Sequence, residues 1–283
     1  MVDLLISEKI MLELSTGSKN SSVLVDEVSK FCDCSIQSVY AVLRKLQLKS
    51  VILRHKKLLL LNSVWVEKEL DFLRKAQTAY LNLNTTEHFL IGTLGDGDQA
   101  TFHFKNPVLL DEMWGHVFIL LLEKIPEAMP VMIYNPHAWF PIVRFASEKT
   151  IFQSLFDKGH KAYFSIAGKE VLDMDIAKKF IEPIGHGFSL GAEAGLKKSE
   201  YLNVIGEYII KVELDNETTE RIDSYFKEHV TLAEADEAHL QAIVGERGRN
   251  KLTLIHSAKK AQKWRSRLAK DFLIAPPSRE FVG

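Results

Sequence analysis

Ser35-Ile36-Gln37-Ser38-Val39-Tyr40-Ala41-Val42-Leu43-Arg44-Lys45-Leu46-Gln47-Leu48-Lys49-Ser50-Val51-Ile52-Leu53-Arg54-His55-Lys56-Lys57-Leu58-Leu59-Leu60-Leu61 is the stretch on which the fold turns. From Ser35 to Val66 there are six Lys or Arg residues and no Asp or Glu. Ile36, Val39, Leu43 and Leu46 share one helical face and make a core stripe, which leaves Gln37, Ser38, Ala41, Arg44 and Lys45 pointing outward. Ser35 suits an N-cap, its hydroxyl placed to accept from the first free amides of that helix. Two apolar runs, Val51 to Leu53 and Leu58 to Leu61, then flank Arg54-His55-Lys56-Lys57, which predicts a two-stranded hairpin with a cationic tip.

Outward from this core, Leu5, Ile10, Leu12 and Leu14 predict a first helix that stops at Thr16-Gly17-Ser18. A second follows over Val23 to Phe31, with Leu24, Val28 and Phe31 on one face, and ends at Cys32-Asp33-Cys34. Helix, helix, helix and hairpin over residues 1–65 predict a winged helix-turn-helix whose third helix faces a major groove. The outward residue types fit that task. Gln can bond two atoms of an adenine edge, Arg can fork onto guanine, and Ser and Lys can hold phosphates. The candidate DNA-binding set is therefore Ser35, Gln37, Ser38, Tyr40, Arg44 and Lys45 on the helix, with Arg54, Lys56 and Lys57 on the hairpin. Tyr40 sits at the core boundary, where it can either pack or touch a phosphate. The plainer reading, charges that merely solvate a small domain, is disfavoured because no acid in the stretch compensates them.

The run Ser38-Val39-Tyr40-Ala41-Val42-Leu43-Arg44-Lys45-Leu46, followed by Gln47-Leu48-Lys49-Ser50-Val51-Ile52, resembles the recognition helix and the start of the wing in TrmB-like transcriptional regulators. Those proteins carry a Val-Tyr-x-Val-Leu-Arg-x-Leu pattern there. The match is close over about 30 residues and holds in outline over the first 65. The resemblance implies a sequence-specific DNA-binding regulator with a second, ligand-sensing domain related to phospholipase D.

Composition and charge set the frame. With 283 residues, 46% of them apolar and 26% charged, the chain reads as a two-domain globular protein. The apolar run Val117 to Leu122 falls far short of the roughly 20 residues a membrane helix needs. Met1 to Ile6 is short and carries Asp3, unlike a secretory leader. The two cysteines, Cys32 and Cys34, have no second pair and no His cluster to make a zinc site, so idle thiols and a cytoplasmic location are expected, with no cofactor. The formal charge of -1 hides a segregation. Residues 1–66 hold nine cations and six acids, residues 67–246 hold 17 and 29, and residues 247–270 hold nine and none. Localised positive charge argues for a phosphate-bearing partner, here double-stranded DNA.

Val66 to Leu83 is a helical pattern (Leu70, Leu73, Ala76, Tyr80) and, continued to residue 86, would connect the domains. It can pair with its twin in a homodimer or pack on its own domain. From Phe89 the rhythm changes: strands are predicted at 100–104, 131–134, 162–166, 187–190 and 251–256, with helices at 111–124, 148–157, 174–180 and 218–228. This alternation predicts an α/β layered domain over residues 87–274 and an α+β chain as a whole, with 275–283 a tail. The hairpin Asn203 to Ile210, hinged on Gly206-Glu207, then Asp215 and a helix ending Ile222-Asp223-Ser224-Tyr225-Phe226, resembles the end of the phospholipase-D-like domain of the TrmB-like regulators.

Catalysis of the phospholipase D type needs a His nucleophile with Lys two residues on, usually supplied twice. His256-Ser257-Ala258 has Ala at the Lys position. His103-Phe104-Lys105 keeps the spacing but is single and lacks the downstream Asp. Gly92 to Gly97 lacks the Lys and the strand-to-helix setting of a phosphate loop. No catalytic residue is therefore assigned, and a non-enzyme is expected. Tyr134-Asn135-Pro136-His137-Ala138-Trp139-Phe140-Pro141-Ile142-Val143-Arg144 follows a predicted strand, where ligand crevices open in α/β sheets. Tyr134, His137, Trp139 and Arg144 are the candidate effector contacts, against the alternative of an aromatic loop that closes the core. Lys197-Lys198 beside Gly195 could grip an anion or be a solvated turn. Ala258, Ala261, Trp264 and Leu268 give the basic segment an apolar face suited to docking on an acidic surface, with a phosphate contact also open. Two rivals to the regulator remain: an antitoxin-like DNA-binding protein whose second domain holds a partner protein, and a phosphodiesterase or nuclease.

Overall fold

Ile6, Ile10 and Leu14 recur at four-residue intervals, and this row, not Leu5 and Leu12, is the face that the first helix α1 (Val2–Ser15) buries. The protein is described here from a computed structural model, which covers residues 2–81, 94–126 and 129–272. It is a mixed α and β chain with two separate sheets and divides into two units, Met1–Asn82 and Leu83–Gly283. Among the described residues no helix is long and apolar enough to cross a membrane.

In the first unit α1 is followed by β1 (Lys19–Asn20), α2 (Ser21–Phe31), α3 (Ile36–Leu48), β2 (Ile52–His55), β3 (Leu58–Leu61) and α4 (Ser63–Leu81). The sheet runs β1-β3-β2, antiparallel throughout. Asn20 caps α2 by accepting from Ser22 N, and Ser35 caps α3 by accepting from Ser38 N, so both helices start where a short polar side chain meets free amides. Val39, Val42, Leu43 and Leu46 of α3 pack with Leu24, Val25 and Val28 of α2 and with Ile52 and Leu59 of the sheet. Two sequence expectations fail. Ile36, in the overhanging first turn, is 50% exposed and Val42 takes its place in the core. Phe31 is 62% exposed and carries Lys9 Nζ over its ring at 4.2 Å, a cation–π contact at the surface.

The second unit is built on a seven-stranded sheet. Its strands are β4 (Gln99–Phe104), β5 (Pro130–Asn135), β6 (Lys161–Ile166), β7 (Gly187–Leu190), β8 (Glu200–Ile205), β9 (Tyr208–Glu213) and β10 (Asn250–His256), in the order β4-β10-β9-β8-β5-β6-β7. β5, β6 and β7 are parallel and the other neighbours antiparallel. The connections are α5 (Pro107–Leu122), α6 (Phe140–Val143), α7 (Phe145–Asp157), α8 (Val171–Ile176), α9 (Glu182–Ile184), α10 (Asn216–Glu228), α11 (Glu237–Gly245) and α12 (Ala258–Leu268), with a π-helical turn at Ala177–Ile181 between α8 and α9. Neither α11 nor α6 is foreseen from periodicity. The expected short helix at 174–180 is this α8, π and α9 run.

Alternation along the strands gives the sheet two different faces. Met132, Tyr134, Leu202, Val204 and Ile209 turn to one face, where Ala261 and Leu268 of α12 close a core. The basic helix thus lays its apolar side on its own sheet, as one of the two expected arrangements. On the other face Ile133, Asn135, Tyr201, Asn203 and Val212 meet Trp114 of α5 and Phe152 of α7. α5 is apolar nearly all round and mostly buried, and its Gly115 lies against the side chain of Ile151 in α7. The end of the connecting helix beyond residue 81, the start of the second domain at Phe89, Gly92-Thr93 and the tail from 275 lie outside the described residues.

Candidate functional site

In the first unit α3 sets Gln37, Tyr40 and Arg44 along one side, and β2 brings Arg54 to them. With Ser21, Leu43, Gln47 and Leu59 they line a cleft of about 340 Å3. Ser35 Oγ accepts from Ser38 N at 3.1 Å and lies 2.9 Å from Ser38 Oγ, so both hydroxyls are tied into the start of the helix. Arg44 Nε donates to Tyr40 O at 3.3 Å and Arg54 Nε to Lys56 O at 3.1 Å, contacts that hold the side chains without neutralising them. Lys45 is exposed on the same helix, and Lys56 and Lys57 form the two-residue tip between β2 and β3. Lys56 adopts φ 55°, a left-handed conformation that costs a side-chain-bearing residue on the order of 1 kcal/mol and glycine almost nothing.

Charge pairing divides this unit in two. Lys19 bonds Glu13 and Glu27, Lys9 lies 2.8 Å from Glu13, and Lys30 lies 2.8 Å from Asp26. The hydrogen bonds from Lys19 and Lys9 hold the Glu13 carboxyl down at about 2. Among the described residues Arg44, Lys49, Arg54, Lys56 and Lys57 have no carboxylate partner. The cations of α1, β1 and α2 are compensated inside the protein, and Arg44 of α3, Lys49 after it and Arg54, Lys56 and Lys57 of the hairpin are left for something outside it.

The four candidate effector residues of the second unit do not converge. Tyr134 points to the α12 face of the sheet, where burial raises its phenol. His137 lies at the carboxyl end of β5 between two acids, with Nδ1 3.0 Å from both Asp173 oxygens and Nε2 3.2 Å from Asp223 Oδ1. Burial alone would lower this imidazole, but the hydrogen bonds to Asp173 and Asp223 outweigh it and raise its pKa. Asp223 also bonds Lys198 and Lys227, so the array alternates in sign and is self-contained. With both nitrogens engaged, His137 offers no free lone pair to a substrate or metal. A Cβ on Gly168 would run into Asp173 and His137, so glycine is needed there for the array to close. Lys198, one of the two open choices for an anion grip, is thereby a partner of Asp223, and Lys197 N donates to Glu200 at 2.9 Å.

Trp139 and Arg144 belong to a second cluster. Trp139, Trp114, Phe140, Phe152 and Tyr201 wall an aromatic cavity of about 30 Å3, room for about two waters. Trp114 Nε1 donates to Asn203 Oδ1 at 2.7 Å, while Asn135 Nδ2, also buried, has no partner. Asp111 lines the same cavity, and Arg144 Nε lies 2.9 Å from its Oδ2, an ion pair not aligned as a hydrogen bond. Burial, only partly offset by Arg144, pushes the Asp111 carboxyl up to about 7. Glu148 is fully buried with neither oxygen hydrogen-bonded among the described residues, and burial together with the Asp111 charge raises it well above the usual carboxylate range. Asp111, Glu148 and Asp173 lie on the buried faces of their helices, one turn from Trp114, Ile151 and Ile176. The one sequence signal for Asp111 is a lone charge pair, Asp111-Glu112, inside a long apolar helix.

The two histidines weighed for phosphodiester chemistry stand far apart. His103 pairs with Lys251, whereas Gln99 pairs with Ile255, so His103 and His256 lie at opposite ends of the β4–β10 ladder. Five residues of strand separate them by about 17 Å, too far to act on one phosphorus. His256 is also occupied, stacked on Tyr208 with its Nδ1 2.7 Å from Leu94 O. Cys32 and Cys34 are free thiols, and no metal-binding group of three or more His, Cys, Asp or Glu occurs among the described residues.

No protein-family model matches this sequence, and no curated protein sequence does. Among solved structures, NucT from Helicobacter pylori is similar at a TM-score of 0.37 and 11% identity, over 62% of this chain and 96% of that one.

Proposed function

We propose that the protein is a sequence-specific DNA-binding transcriptional regulator of the TrmB-like kind. Its first unit acts as a winged helix-turn-helix, and its second is a phospholipase-D-like domain that senses an effector or dimerises and does no catalysis. The observation that carries the reading is the set of cations on α3 and the β2–β3 hairpin, Arg44, Lys49, Arg54, Lys56 and Lys57, that have no carboxylate partner among the described residues, while Lys9, Lys19 and Lys30 of α1, β1 and α2 are paired. Gln37 and Arg44 reach base edges in the major groove, Ser35, Ser38, Tyr40 and Lys45 position the helix on phosphates, and Arg54, Lys56 and Lys57 lie along the adjacent backbone. A Lys in a left-handed tip where glycine would be cheaper fits a position kept for its charge.

One such unit presents a small reading surface, and two copies supply the specificity that a genome of competing sites requires. α4 is suited to make the pair, because Leu70, Phe72 and Leu73 are 38%, 65% and 58% exposed. The cavity walled by Trp139 has room for only about two waters, and His137 and Arg144 are engaged by Asp173, Asp223 and Asp111, so the second unit's part in this reading is dimerisation rather than the sensing of an effector. Selection of bound fragments from a genomic library by the purified protein, followed by anisotropy titrations, tests the reading. Gln37→Ala and Arg44→Ala each cost about 1–3 kcal/mol on the selected site and relax its sequence choice. Equal binding of selected and scrambled duplexes, unchanged in both variants, refutes it.

A further inference from the structure

At the far end of the β4–β10 ladder from His256, the second unit carries a groove of about 610 Å3 whose charge that reading does not use. His103 and Lys105 enter it from the end of β4, and Arg247, Arg249 and Lys251 from the start of β10. The one acid lining it, Glu213, is already shared between Lys211 at 3.1 Å and Lys251 at 3.0 Å. Among the described residues Lys105, Arg247 and Arg249 have no carboxylate partner, and their side chains are exposed.

The groove is built rather than accidental. Gly248 N donates to Lys105 O at 2.7 Å, which ties the Arg247-Gly248-Arg249 turn to the end of β4. Asp215 accepts from Arg249 N at 3.3 Å and from Glu217 N at 3.0 Å, and its own amide donates to the buried Asn250 at 3.0 Å. A Cβ on Gly248 would lie 2.9 Å from Asp215 Cβ, so the turn seats against Asp215 only as glycine. The nearby Glu246 is engaged by Arg221. The acids around the groove are thus spent on amides and on other cations, and a rigid turn holds two guanidinium groups opposite a Lys and a His.

We infer that this groove binds the phosphodiester backbone of nucleic acid, a contact made by the second unit in its own right. Guanidinium groups flanking a Gly suit phosphate oxygens, which accept paired N–H donors. An open groove, with Phe104 and Leu214 as its apolar lining, suits a backbone that runs past it better than a small ligand that must be enclosed. The contact reads no sequence: it adds electrostatic affinity through released counterions.

The test is the salt dependence of binding by the full-length chain to a labelled duplex of scrambled sequence. Lys105→Gln, Arg247→Gln and Arg249→Gln together should flatten the slope of log K against log salt by about 2–3, since each lost phosphate contact removes about 0.9. The same flattening is expected when Lys56→Gln and Lys57→Gln are already present. An unchanged slope in both backgrounds overturns the inference. Loss of inorganic pyrophosphate binding in the triple variant, with the duplex slope unchanged, also overturns it and assigns the groove to a small phosphorylated ligand. If the Lys56 and Lys57 changes have no effect while the triple variant flattens the slope, the first unit's assignment fails and this one stands.

Discussion

Replacing Asp111 by Asn is expected to flatten the pH dependence of the second unit's stability. In the folded chain the Asp111 carboxyl ionises near 7 instead of its ordinary 3.8, because burial, with the Glu112 charge adding to it, outweighs the attraction of Arg144. Below pH 3.8 the folded and unfolded chains both hold the proton, and the residue contributes nothing to the pH dependence. As the pH rises through 3.8 the unfolded chain ionises first, so stability falls until the folded carboxyl ionises near 7 and the loss levels off. A displacement from 3.8 to about 7 corresponds to about 4 kcal/mol over that window, at roughly 1.4 kcal/mol per pH unit. The carboxyl pair shares this loss, so Glu148→Gln should act in the same direction. Urea unfolding followed by tryptophan fluorescence between pH 4 and 8 is a direct assay, because Trp114 and Trp139 wall the cavity that holds Asp111. The wild-type protein should lose stability steadily from pH 4 to 7 and the Asp111→Asn variant much less. Parallel profiles for the two proteins would refute the buried-carboxyl reasoning.

Three further outcomes are expected. Ser35→Ala removes the cap of α3 and should cost the first unit about 1 kcal/mol, read as a lower urea midpoint for the fluorescence of Trp65, which packs against that unit's core, while Ser35→Asp should retain most of it. Gly206→Ala forces a side chain into φ 57° and against Ile125 at the β8–β9 turn, and should destabilise the second unit by more than about 1 kcal/mol in the same urea assay. Sedimentation at micromolar concentration should give twice the chain mass, reduced to one by Leu70→Glu with Leu73→Glu. A wild-type protein that stays monomeric both free and on DNA would remove the dimer.

What could be read in the sequence was what depends on neighbours along the chain. The β8–β9 hairpin was legible from Val-Ile-Gly-Glu-Tyr because a tight turn between two apolar strands leaves few options, and Gly206 indeed takes the left-handed position. The cap at Ser35 and the hairpin behind it were legible for the same reason. Helix faces were read less well. A helical period fixes which residues align but not which alignment is buried, so α1 buries Ile6 instead of Leu5, and Phe31 finds a cation at the surface. Of the acid clusters only the charge pair Asp111-Glu112 inside an apolar helix left a mark in the sequence. His137 meets Asp173 and Asp223, 36 and 86 residues further on, only because the parallel strands and α10 converge at one end of the sheet. Of the four aromatic and ionic candidates only Tyr134 lies on β5, and His137, Trp139 and Arg144 leave it in the loop and α6 that follow, so each meets a different set of partners.

The place of β4 in the sheet has a consequence for how the chain is made. Among the described residues β4 is the first strand of the second unit to be synthesised, yet its partner is β10, with Phe104 opposite Asn250. At about 5–20 residues per second, the ribosome delivers β10 on the order of ten seconds after β4. During that interval the strand, with Phe102 and Phe104 on it, has no ladder to join, while β5, β6, β8 and β9 can already assemble. Closing the sheet is therefore the last and most non-local event, and the slowest kind to accomplish. Changes within Asn250 to His256 should be felt first in the amount of folded protein recovered from synthesis, before they are felt in the stability of the molecules that do fold.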